Sequence, residues 1–264
     1  YKFCTLILGM KPNEHEYKVM GLSAYSTSVK HIEKVEELFF QILDFKDGLF
    51  VSKKPLKDSY FDLKNRLEGH RFDNISAGLQ NWTSKLTLKW IKHWINKTGK
   101  KVICFSGGLA MNIKTNGEIL KLKEVKYLSV PASGGDESLS AGACFAASKD
   151  SKKNVKHLVS PYLGSEAKFN KKLLYNYLKN KNKKKKNFII KENFNTSKVA
   201  KLLHLDEIIA RVSGKAEFGA RALGNRSILA NPKNINNVKK INESIKNRDF
   251  WMPFTPSILE EHSH

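Results

Sequence analysis

No stretch of the 264 residues approaches the roughly 18 uninterrupted apolar residues that a membrane-spanning helix requires. Cysteine is scarce as well: Cys4, Cys104 and Cys144 stand far apart and form no CxxC pair. That spacing argues against a disulfide framework and a cysteine-based zinc site, fits a reducing, cytoplasmic setting, and predicts buried free thiols. The start lacks the basic, apolar and small-residue regions of a signal peptide. It opens on Tyr1 rather than Met, already inside an apolar element, and is read as the C-terminal part of a longer reading frame. Acidic residues are few, 25 against 47 Lys and Arg, for a net charge of +22. Such a balance is that of a partner for nucleic acid or an anionic membrane surface. The excess is mostly lysine accompanied by abundant Asn and Ile, which biased nucleotide composition in a gene also produces. Its densest block, Lys181 to Lys186, lies between two apolar segments and reads as a solvated loop. A basic nucleic-acid-binding protein is therefore kept as the rival from another functional class.

What is present is ordinary for two domains, since 41% hydrophobic residues suffice for normal cores. Ile32, Val35, Leu38, Phe39, Ile42 and Leu43 recur at helical spacing and predict a helix over His31–Phe45. Residues 46–71 read as a loop. A second helix, capped by Asp73 or Asn74, carries Ile75, Leu79, Trp82, Leu86, Trp90 and Trp94 into a core and stops at Gly99. Beyond Gly99 the pattern strand, glycine turn, helix occurs twice. Val102–Phe105 leads into Ser106-Gly-Gly108 and a helix over 110–123; Val125–Val130 leads into Ser133-Gly-Gly-Asp-Glu137 and a helix over 138–147. This is α/β architecture, with ligands expected at the C-terminal ends of the strands. A lysine-rich linker over 149–157 suggests a domain boundary near residue 150. After it come a helix over 169–178, a strand over 188–190, a helix capped by Thr196, a strand over 207–212 and a helix over 235–246.

Three runs could hold chemistry. In Ser106-Gly-Gly-Leu-Ala-Met-Asn112, Gly107 and Gly108 let backbone N–H groups approach an anion, and Asn112 sits one turn into the next helix; taken alone, the run reads first as a plain tight turn. In the second turn Asp136 could hold a hard cation, or be a first-turn acid favoured by the helix dipole. Gly214 to Ser227 sets Lys215, Arg221 and Arg226 among glycines, with Asn225 and Ser227 as further hydrogen-bonding groups and Glu217 able to pair an arginine. Planar guanidinium forks grip phosphate or carboxylate bidentately, so this run reads as an anion pocket, against a basic turn with an ion pair. Arg248 could complete it, walled by Phe250, Trp251 and Phe254.

Five collinear runs give the sequence a family resemblance: Tyr17-Lys-Val-Met-Gly-Leu22, Phe105–Asn112, Pro131–Ser138, Glu217–Ile228 and Arg248–Phe254. Together they closely resemble the NodU-type O-carbamoyltransferases over nearly the whole chain. The resemblance implies the rear part of an actin-like (ASKHA) ATPase domain over residues 1–150, followed by a YrdC-like α/β domain over 157–264. The YrdC-like domain of the family activates carbamoyl phosphate with ATP as carbamoyl-adenylate, and the actin-like domain transfers the carbamoyl group to a hydroxyl of a small, sugar-like or secondary-metabolite acceptor. Carried over residue by residue, Gly107, Gly108 and Asn112, with Glu16 and Lys18, would contact the nucleotide, and Asp136 a metal. Arg221 and Arg226 would be catalytic, binding carbamoyl phosphate and the adenylate with Lys215, Asn225, Ser227 and Arg248. The implied cofactors are ATP, a divalent cation such as Mg, and iron or another metal at the transfer site. Carbamoyl phosphate and the acceptor are the expected partners, without membrane or nucleic acid and with a homodimer left open. A tRNA threonylcarbamoyl-transfer or hydrogenase-maturation enzyme of the same folds is the nearest alternative. The family's paired-histidine motif and first phosphate loop are not among these residues, so this chain alone is expected to be inactive. Ala220 stands where the family has proline, and Lys215 where it has arginine.

Overall fold

The computed structural model describes residues 1–151, 153–154, 158, 160–168, 170–185, 191 and 194–262. It is a mixed α/β chain that divides into two compact units, Tyr1–Gly142 with Asp249–Thr255, and Ala143–Arg248 with Pro256–His264.

In the first unit, short helices α1 (Lys2–Ile7) and α2 (Glu16–Leu22) precede α3 (Val29–Ile42). The helix predicted over 31–45 is thus present, but its last residues are not helical. Phe45 lies in β1 (Asp44–Lys46), which pairs antiparallel with β2 (Leu49–Val51). Asp47 and Gly48 between them both have positive φ, as a two-residue hairpin of this hand requires. The region read as loop therefore holds a hairpin, and a further helix, α4 (Phe61–Leu67).

Helix α5 (Phe72–Thr98) is the axis of this unit. At 27 residues it is about 40 Å long, and Gly99 ends it in a left-handed conformation. Neither Asp73 nor Asn74 is its cap: the helix begins at Phe72, and Asp73 accepts from the Arg71 guanidinium at 3.1 and 3.0 Å. Ile75 and Leu79 join Val19, Val35 and Phe39 in one core. Ile91 and Ile95, further along the helix, join Phe105, Ala110 and Ile119 in another. Residues 73–80 are buried without a break, so this half is enclosed on all sides. Close approach is possible because of Gly78, where a Cβ would lie 2.6 Å from Val35 Cγ1. Of the α5 tryptophans only Trp82 serves the core, against Phe39 and with its Nε1–H donated to Leu43 O at 2.9 Å. Trp90 and Trp94 are 36% and 39% exposed, because that turn shows its outer face to solvent.

Strands β3 (Val102–Cys104) and β4 (Tyr127–Ser129) pair in parallel around α6 (Ile113–Leu120), in register Val102↔Tyr127 to Cys104↔Ser129. A short 3₁₀ turn over Gly108–Met111 stands where the helix was expected to start. Cys4 is buried, and burial pushes its thiol up to about 11. Cys104 and Cys144 are exposed, against the expectation of three buried thiols. Helix α7 (Leu139–Asp150), none of whose residues is buried, contains the division between the units at Gly142. The segment Asp249–Thr255 packs within the first unit: Lys18 Nζ lies 2.9 Å from Asp249 Oδ2, Phe250 meets Tyr25 edge-on, and Met252 is buried. Burial of Met252 and the ion pair at Asp249 join this segment to residues more than 200 positions earlier in the chain.

The second unit contains α8 (Lys171–Lys185), α9 (Thr196–His204), an antiparallel pair β5 (Ile209–Val212) and β6 (Arg226–Leu229), and α10 (Ile235–Lys240), extended by a π-turn to Ile245. Most of the lysine block read as loop, through Lys185, continues α8, since lysine is a good helix former when solvated. Lys186 and the strand expected over 188–190 lie outside the described residues. Asn195, not Thr196, caps α9, accepting from Lys198 N–H at 3.0 Å. No described helix is long and apolar enough to cross a membrane.

Candidate functional site

The first cluster lies where β3 and β4 end. Parallel neighbours deliver their following turns side by side, and Gly107 N–H donates to Gly134 O at 2.9 Å. Gly107 has φ +100°, a conformation that only glycine adopts without strain. A Cβ on Gly134 would stand 3.2 Å from Gly107 O, so the two turns touch through backbone. A Cβ on Gly107 or Gly108 would meet nothing within 4 Å: the outer face of this turn is open backbone.

Asn112 is turned the other way. It is the N-cap of α6, accepting from Thr115 N–H at 3.1 Å, rather than a residue one turn in. Its amide bonds reciprocally with Gln80: Asn112 Nδ2 donates to Gln80 Oε1 at 2.9 Å, and Gln80 Nε2 to Asn112 Oδ1 at 3.1 Å. Ser84, Thr115 and the Tyr1 hydroxyl complete a buried polar network. Burial holds the Tyr1 hydroxyl well above the usual tyrosine range, against hydrogen bonds that lower it. Sequence reasoning missed Gln80, whose signal was a polar residue next to Leu79 on an apolar helix. In this conformation Asn112 anchors the glycine turn to α5.

Two of the remaining first-unit candidates, Glu16 and Lys18, are engaged by other residues. Glu16 Oε1 accepts Asn13 N–H at 2.6 Å, and Lys18 is paired with Asp249. Asp136 is exposed in the 3₁₀ turn Asp136–Ser138. The neighbouring Glu137 accepts the Ser133 hydroxyl, which holds its carboxyl below the usual range. Among the described residues no group of three His, Cys, Asp or Glu side chains could hold a metal ion.

The second cluster is the connection between β5 and β6. Among the described residues Glu217 pairs no arginine side chain; instead, one of its oxygens accepts three backbone N–H groups, from Leu223 at 2.9 Å, Asn225 at 2.7 Å and Arg226 at 3.1 Å. Burial alone would raise this carboxyl, but the N–H groups of Arg226, Leu223 and Asn225 overcome it and hold it at about 2. Arg226 is engaged through its own carbonyl contacts. Nη1 donates to Ser213 O at 2.8 Å and Asn225 O at 3.1 Å, and Nη2 to Gly214 O at 3.1 Å and Ser165 O at 3.3 Å. Asn225 Nδ2 donates to Lys215 O, and Ser227 Oγ accepts Gly224 N–H. Arg248 donates through Nε to Asn242, which is fully buried. Arg221 and Lys215 are exposed, and neither side chain has a hydrogen bond or ion pair among the described residues.

Two family models match the chain, the carbamoyltransferase N-terminus over residues 1–145 and the carbamoyltransferase C-terminus over residues 200–264. Among similar proteins, an uncharacterized protein of Methanocaldococcus jannaschii is 34% identical over 98% of this chain and 50% of its own length. Nodulation protein NolNO of Sinorhizobium fredii is 29% identical over 93% of this chain and 36% of its own length. Nodulation protein NolO of Bradyrhizobium diazoefficiens is also 29% identical, over 93% of this chain and 45% of its own length. The chain thus spans half or less of the length of these relatives. With one model matching more than half of its residues and a second matching its far end, the chain belongs to the carbamoyltransferase family.

Proposed function

We propose that this chain belongs to an ATP-dependent O-carbamoyltransferase, with the first unit part of an actin-like transfer domain and the second a YrdC-like activating domain. In the activating step carbamoyl phosphate loses its phosphate to water, and the resulting carbamate oxygen attacks the α-phosphorus of ATP. Carbamoyl-adenylate forms, and inorganic phosphate and pyrophosphate leave. In the transfer step a hydroxyl of a small-molecule acceptor takes the carbamoyl group, and AMP leaves.

The observation that supports this best is the β5–β6 connection. It presents the cations Arg221 and Lys215 on a loop whose backbone is fixed by Glu217, within residues 200–264 that match the family. Cations carried on a fixed backbone suit an anionic phosphoryl transition state, because only their side chains have to order as the charge develops. In the first unit the open backbone of Gly107 and Gly108 fits the approach of a nucleotide phosphate or ribose, with Asn112 holding the turn in place. Glu16 and Lys18 would flank it, with ATP bringing a divalent cation such as Mg.

The test is exchange of labelled pyrophosphate into ATP by the complete protein. Exchange that depends on carbamoyl phosphate is expected; none from a folded, ATP-binding protein would sink the adenylation step.

A further inference from the structure

We infer that Glu217 and Arg226 are positioning residues that hold the β5–β6 connection in shape, so that Arg221 and not Arg226 grips the anionic ligand. The inference rests on the reading of this loop as the carbamoyl phosphate site and divides its charged residues between two tasks.

The donor inventory decides the matter for Arg226. A guanidinium has five N–H donors. Two on Nη1 go to Ser213 O and Asn225 O, and two on Nη2 go to Gly214 O and Ser165 O. Only Nε–H remains, and a bidentate grip on a phosphate needs two parallel N–H groups. Arg226 therefore ties the end of the loop to the backbone at 213–214 and to Ser165. Glu217 does the complementary work with opposite charge, gathering the N–H groups of Leu223, Asn225 and Arg226 onto one oxygen. Between these anchors residues 218–222 are held as a closed loop. Arg221 lies within it, exposed and with no hydrogen bond or ion pair among the described residues. A loop closed beforehand loses less freedom when its arginine orders on a ligand, and that saving appears as affinity.

The experiment is a double-mutant cycle on the complete protein, reading KM for carbamoyl phosphate and kcat separately in the exchange reaction. Arg221→Ala should raise KM about 10- to 100-fold, the range for losing a charge-assisted bidentate contact. Glu217→Ala should raise KM by about 10-fold in the wild-type background and leave it unchanged in the Arg221→Ala background, because residues acting through one another are not additive. Glu217→Gln keeps an acceptor oxygen and should recover most of the loss. Should Glu217→Ala not fold, Glu217→Asp, which withdraws the charge by one methylene, runs the same cycle with the same expected non-additivity. Independent, multiplicative effects of Glu217 and Arg221 would overturn the positioning role while leaving the adenylation reading intact. An Arg221→Ala variant with unchanged KM would overturn the assignment of the ligand-facing arginine. Wild-type protein without exchange would remove the adenylation reading and this inference together.

Discussion

Gln80 and Asn112, 32 residues apart, hold each other by two hydrogen bonds between their side-chain amides, both inside the core. The pair ties the turn after β3 to the long helix α5. Its strength comes from its surroundings, since every polar atom that loses a partner there is left without water.

Gln80→Ala should therefore destabilise the first unit by about 2–4 kcal/mol, combining a lost core side chain with an amide on Asn112 and a hydroxyl on Tyr1 that lose their close partner. Urea unfolding followed by tryptophan fluorescence would measure it. A loss below about 1 kcal/mol would mean that water replaces the network.

Gly78→Ala tests close packing against helix propensity. In an exposed helix the change would stabilise by about 0.5–1 kcal/mol. Here the new methyl would stand 2.6 Å from Val35 Cγ1 and 3.0 Å from Glu36 N, and the latter belongs to backbone that cannot step aside. Overpacking of this kind costs about 1–3 kcal/mol, so the net effect should be a lower Tm by thermal unfolding.

Glu217 gives the second unit a pH dependence of known sign. Its carboxyl is held at about 2 in the fold against 4.5 ordinarily. Above about 4.5 it is ionised in folded and unfolded chains alike, and its bonds to the three N–H groups contribute fully. As pH falls from 4.5 towards 2 the unfolded chain takes up the proton first, and that contribution is lost. Urea midpoints should drop more steeply over this window for wild type than for Glu217→Gln; parallel curves would show that the N–H groups do not discriminate the charged form.

Much of the first unit was legible because periodicity reports burial. The helix around Val35 and Phe39, the strand–glycine turn–helix repeats and the stop at Gly99 follow from local pattern alone. The hairpin at Asp47-Gly48 carried a local turn signal, but each of its strands is three residues long, too short for alternation to declare itself. Trp90 and Trp94 were misplaced because a repeating aromatic marks a face, whereas what covers that face depends on other segments.

By itself, the sequence determined the family, the mixed α/β class, and the run around Arg221 where cations and glycines gather. Those properties reside in residue order, which local sterics and collinear motifs express directly. Only the tertiary structure decided what the polar side chains do. It turned Asn112 inward to Gln80, gave Glu217 three backbone N–H groups instead of an arginine, and engaged Arg226 with carbonyls. The physical reason is that a hydrogen bond satisfies whichever partner the fold brings within reach, and sequence spacing does not name partners 32 or 61 residues away.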